Sequence, residues 1–78
     1  MYVKIMQHND GQYEEQMYEC TNYNYIENDI TTELNIIHDE DNVTTVAFDK
    51  IPSTKIWVMN NNGVTIDSYK WTEQGTLR

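Results

Sequence analysis

Apolar and polar residues alternate with a period of two along most of this chain, not with the 3.6-residue period of a helix. Residues 2–8 predict a first strand, with Val3 and Ile5 on one face and Tyr2, Lys4 and Met6 on the other. Asn9-Asp10-Gly11 predicts a turn, because Asn and Asp tolerate left-handed backbone and Gly adopts it freely. A second extended region follows, strongest from Met17 to Ile26, where Tyr and Thr favour a pleated surface. Tyr13 to Glu19 also fits a single helical turn. From Ile30 to His38 the alternation is regular. Ile30, Thr32, Leu34 and Ile36 share one face, and Thr31, Glu33 and Asn35 the other. Asp39-Glu40-Asp41-Asn42 predicts a polar loop and Val43 to Phe48 a returning strand. Lys55 to Met59 and Val64 to Trp71 flank Asn60-Asn61-Asn62-Gly63, and Asn-Gly between apolar runs is a strong hairpin signal.

Turn signals therefore recur roughly every 8–12 residues. The expected fold is all-β, with about six short antiparallel strands in hairpins. A small sandwich, a barrel or a curved sheet would satisfy the pattern. The expected core is Val3, Ile5, Leu34, Ile36, Val46, Phe48, Ile56, Val58, Val64 and Ile66. Residues 1–71 read as one β-rich domain and 72–78 as a frayed tail.

The length, 78 residues, limits the core and leaves no room for a deep cleft. Nine aromatics and 38% hydrophobic residues exclude a wholly disordered chain. The lone Cys20 has no partner for an internal disulfide, which points to a reducing compartment. The amino terminus lacks the apolar run of a signal peptide, and no segment is long enough to span a bilayer. A cytoplasmic protein is expected.

Charge changes the picture most. Between Ile5 and Asp49 there are eleven carboxylates and no Lys or Arg, and the chain as a whole carries −8. Such a field repels polyanions and attracts cationic surfaces, so direct nucleic-acid binding is disfavoured. The only glycines are Gly11, Gly63 and Gly75, which excludes a Gly-rich phosphate loop.

Catalytic signals are weak. Cys20 with His8 or His38 would need a lowered thiol pKa, and no helix amino terminus or Gly-rich elbow supplies one. Asp39 and Asp41 alternate like calcium ligands, but Val43 and Thr44 stand where the next ligand and the Gly belong. Glu14 and Glu15 would point to opposite faces of a strand, so they do not form a catalytic pair. No enzyme activity, metal centre or cofactor is expected.

Two surfaces remain. The first interleaves tyrosines with acids: Glu14, Glu15, Tyr18, Glu19, Tyr23, Tyr25, Glu27 and Asp29, joined by the loop acids Asp39, Glu40 and Asp41. Tyrosine gives interface area at low entropic cost. Carboxylates two positions apart on a strand lie about 6.8 Å apart, comparable to phosphate spacing along a nucleic-acid strand. This surface predicts docking onto a basic protein. The second is the carboxy-terminal hairpin, where Trp57, Tyr69 and Trp71 accompany Lys55 and Lys70. It predicts ligand stacking with phosphate neutralisation, or an oligomer contact.

In its smallness, acidity, lone cysteine and abundant Asn and Ile, the chain resembles small acidic phage and mobile-element proteins of low-GC Gram-positive bacteria. That resemblance is one of type, and no functional position carries over from it. It implies an anti-defence inhibitor that binds a basic, nucleic-acid-binding host protein as a nucleic-acid mimic, in the host cytoplasm. The alternatives are an oligomer that sequesters a small nucleotide-like ligand and a phage structural subunit.

Overall fold

Seven antiparallel strands, and no helix, form among the described residues 1–9, 11–28 and 32–77 of the computed structural model. They are β1 (Tyr2–Asn9), β2 (Gln12–Glu19), β3 (Asn22–Glu27), β4 (Thr32–Asp39), β5 (Asn42–Ala47), β6 (Lys55–Met59) and β7 (Thr65–Lys70). Two open sheets result, one ordered β2-β1-β6-β7 and the other β3-β4-β5. The all-β expectation holds, and the open sheets exclude a closed barrel. Ile30, Thr31 and Asp29 lie outside the described residues, as do Asp10 and Arg78.

The chain changes sheets twice. The extended region expected across Met17 to Ile26 is broken at Cys20-Thr21. There the Cys20 N–H donates to Met1 O (2.9 Å), extending the first sheet, while the Thr21 N–H donates to Ile37 O (2.8 Å), extending the second. The expected helical turn at Tyr13 to Glu19 is strand instead, because these residues pair in register with β1 from Tyr2↔Glu19 to Asn9↔Gln12. The chain returns to the first sheet after Phe48, and β6 then pairs with β1.

One core lies between the sheets. Val3, Ile5, Ile56, Val58 and Trp71 meet Leu34, Ile36 and Phe48, with Cys20 beside them. Strand alternation explains most of it: these positions are two apart within each strand, so every second side chain points inward. Val46 is only partly buried at its margin.

Two expected core residues are not in it: Val64 is 57% exposed and Ile66 53%. The cause is backbone register. Met59 pairs with Thr65 but Val58 with Asp67, so Ile66 is an extra residue in a bulge. Beyond the bulge, Asp67 and Tyr69 lie opposite Val58 and Ile56, on the core side. Trp71, absent from the expected core, is 1% exposed and caps the core against Phe48, with ring centroids 5.2 Å apart. The turn that feeds this strand is held by Asn60, whose Oδ1 accepts the N–H groups of Asn62 and Val64, and by Gly63 at φ +80°.

Residues 72–77, expected as a frayed tail, contain a hydrogen-bonded turn. Thr72 N–H donates to Thr76 O (2.8 Å) and Trp71 bridges Leu77, so the segment turns back on the domain.

Candidate functional site

The structure divides the acidic stretch. Glu14 and Glu15 occupy opposite faces of β2, since Glu14 pairs with Gln7 and Glu15 with Met6. Glu15 is held by Lys4 at 3.1 Å. Glu27 sits at the far end of β3, bonded to Lys50 and accepting the Tyr25 hydroxyl (3.1 Å). Those contacts hold the Glu27 carboxyl below its usual range, the Lys50 ammonium contributing most.

The tyrosines are spent mainly on packing. Tyr18, Tyr23 and Tyr25 are half-buried against the core. Tyr25 stacks on Tyr69 across the sheets, and the Tyr23 hydroxyl donates to Asp67 Oδ2 at 2.9 Å. Burial, then the bond to Asp67 and its charge, push the Tyr23 phenol up to about 12.

Four of the expected binding residues do converge. Glu19 ends β2, and Asp39, Glu40 and Asp41 form the tip of the β4–β5 hairpin. His38 ties the two together. Its Nδ1 donates to Glu19 O (2.7 Å), and its Nε2 meets Thr44 Oγ1 (2.8 Å). That contact is made at a register shift between Ile37 and Asp39, which turns the imidazole toward the neighbouring strand. The Asp41 N–H donates to Asp39 Oδ1 (2.9 Å), fixing the two-residue turn. All four acids are exposed, and no Lys, Arg or His pairs with any of their carboxylates among the described residues.

Beside this tip lies a shallow depression lined by Glu19, Cys20, Thr21, His38, Asn42 and Thr44. It brings Cys20 and His38 to one place, but not as an activated pair. Burial raises the thiol pKa, partly offset by the amino-terminal ammonium, and both imidazole nitrogens are already engaged. Among the described residues no cluster of three or more His, Cys, Asp or Glu side chains could hold a metal ion.

No family model matches the chain, and no curated protein or solved structure is detectably similar to it. The site must therefore be read from its own chemistry. Among the described residues no helix is long and apolar enough to cross a membrane.

The second expected surface is split by the β7 bulge. Lys55 and Lys70 are direct cross-strand partners, and Trp57 lies beside them opposite Ser68. Tyr69 and Trp71 point into the core instead. Two of the three expected stacking rings are thus withdrawn.

The face that keeps Trp57 also carries residues of β1 and β2. It is the outer face of the four-stranded sheet. Pairing aligns Glu15, Met6, Lys55 and Lys70 in one row across the strands, and Met17, Lys4, Trp57 and Ser68 in the next. Lys4 Nζ sits 5.1 Å from the Trp57 ring centroid. Alternation in residues 2–8 already placed Tyr2, Lys4 and Met6 together. Only the long-range pairing of β1 with β6 sets them beside Trp57.

Proposed function

We propose that this chain is a small, non-enzymatic binding protein that docks its acidic end onto a basic, nucleic-acid-binding host protein. The acting residues are Glu19, Asp39, Glu40 and Asp41. The observation that carries this reading is their joint exposure at one end of the domain, without a pairing cation among the described residues. A solvated acid on a protein surface usually costs nothing, but four on two adjoining elements create a local potential that steers cationic partners. Exposed Asp and Glu also keep a small β-protein soluble, so the reading predicts more than solubility: a partner whose affinity depends on these side chains.

In this reading Glu14, Glu15 and Glu27 raise the long-range field without forming the contact. Tyr18, Tyr23 and Tyr25 hold the sheets together behind the acidic end. Competition with nucleic acid follows, because the same cationic groove would receive either ligand.

The test is affinity capture from bacterial lysate at low and moderate salt, with the intact chain and with D39N/E40Q/D41N. A basic protein retained at low salt, and lost with the triple variant, supports the reading. Equal capture by both chains, or capture insensitive to salt, would refute it.

A further inference from the structure

We infer that the outer face of the four-stranded sheet is a self-complementary docking surface for a second copy of this chain. The face has an apolar middle and flanks of opposite charge. On β1 and β6, Tyr2, Met6, Trp57 and Met59 supply the apolar part around Lys4, and Met17 of β2, among the most exposed large hydrophobic side chains of the protein, extends it. On one flank β2 carries Glu15 and Glu19. On the other, β6 and β7 carry Lys55 and Lys70.

The two lysines are the unusual element. They stand directly opposite each other on paired strands, and neither has a carboxylate partner among the described residues. Like charges at such positions repel. In a chain with thirteen acids and five bases, that pairing asks for an external anionic group. A nucleic acid would bring one, but it would also meet Glu15, Glu19 and the net −8. A second copy brings its own Glu15 to the same place.

Symmetry makes the match. A two-fold axis lying in the interface, parallel to the strands and between β1 and β6, sets β2 of one copy over β7 of the other. It sets β1 over β6 in the same operation. Rows keep their level along the strands. Glu15 of one copy then faces Lys70 of the second, and Lys4 of one faces Trp57 of the second. Each contact occurs twice. Facing sheets pack at about 30° between strand directions, a misalignment that long Lys and Glu side chains span.

The face measures about 19 Å across four strands and about 20 Å along them, or about 400 Å² in projection. That is smaller than the roughly 800 Å² each partner loses in a standard interface. The expected dimer is therefore weak, with a dissociation constant on the order of 10 µM. The axis direction also places both acidic ends on the same side of the dimer, as two docking sites instead of one.

The test is sedimentation equilibrium of the full chain at about 1–500 µM and about 0.15 M salt. The wild type should pass from monomer to dimer across this range. E15K and K70E, each folded by circular dichroism, should each dimerise about tenfold more weakly, because each sets like charges across the interface. An equimolar mixture of the two should recover dimers, since Lys at 15 then meets Glu at 70 and Glu15 meets Lys70. A wild type that stays monomeric overturns the inference. So do variants that dimerise undiminished, a mixture that stays monomeric, and a monomer that binds a short oligonucleotide through Lys55 and Lys70. Glu19 borders both surfaces, but the lysate test changes only Asp39, Glu40 and Asp41 and the dimer test only Glu15 and Lys70, so either result stands without the other.

Discussion

The ring of Tyr25 lies flat against the ring of Tyr69, centroids 5.0 Å apart and planes 5° from parallel. Tyr25 belongs to the edge strand β3 and Tyr69 to the edge strand β7, so one stacked pair joins the margins of both sheets. A double-mutant cycle with Tyr25→Leu and Tyr69→Leu should give a coupling of about 0.5–1.5 kcal/mol by urea unfolding. Additive losses would mean that each ring contributes only buried area.

Tyr23 should make stability depend on alkaline pH. Its phenol is raised in the folded state from an ordinary value near 10 to about 12, first by desolvation and then by Asp67. The folded state therefore holds its proton more tightly than the unfolded chain. The stability this supplies is complete below about pH 10 and is lost as pH rises through about 12. Burial raises Tyr25 and Tyr69 too, so the loss is shared. Urea midpoints between pH 9 and 12 should fall less steeply for Tyr23→Phe than for the wild type. Parallel curves would remove Tyr23 from the account.

Trp71 should separate volume from hydrogen bonding. Its indole N–H is buried and has no hydrogen-bond partner among the described residues. Trp71→Ala should cost about 3–5 kcal/mol, the usual penalty for deleting a buried aromatic. Trp71→Phe should cost about 1 kcal/mol, because the lost volume is offset by removing an unsatisfied donor. Denaturant midpoints at one pH decide between them, and equal losses would contradict the unsatisfied N–H.

The β7 bulge has its own signature. Val64→Thr and Ile66→Thr should each change stability by no more than about 0.5 kcal/mol, as exposed substitutions do. Val58→Thr places a hydroxyl in the core and should cost about 1–3 kcal/mol. If Val64→Thr matched Val58→Thr, the strand would be one residue out of the register described above.

Most strands were legible because one side of each had to be buried. Lys55 to Met59 is found with the bounds its alternation predicts. Alternation is silent about an inserted residue, however, and the bulge at Ile66 turned Tyr69 and Trp71 inward. Nor can it mark where a chain leaves one sheet for another. Cys20 and Thr21 look extended, yet each bonds to a different sheet. The candidate site was legible in composition and not in placement. The described acids between Ile5 and Asp49 are divided between both sheets and their loops, and only three-dimensional pairing shows that Glu19 adjoins Asp39, Glu40 and Asp41 while Glu27 does not.

The pairing of β1 with β6 also governs how the protein comes into being. The hairpins β1–β2, β3–β4–β5 and β6–β7 are local and can close within microseconds. The first sheet cannot, because its central strand waits for Lys55–Met59, some fifty residues downstream. Until that strand docks, Val3 and Ile5 lack their cross-strand partners Val58 and Ile56. Refolding should therefore be limited by this long-range pairing, with a rate in the millisecond-to-second range typical of high contact order. Stopped-flow refolding of the full chain, beside a fragment ending before Lys55, would show whether that last strand is the gate.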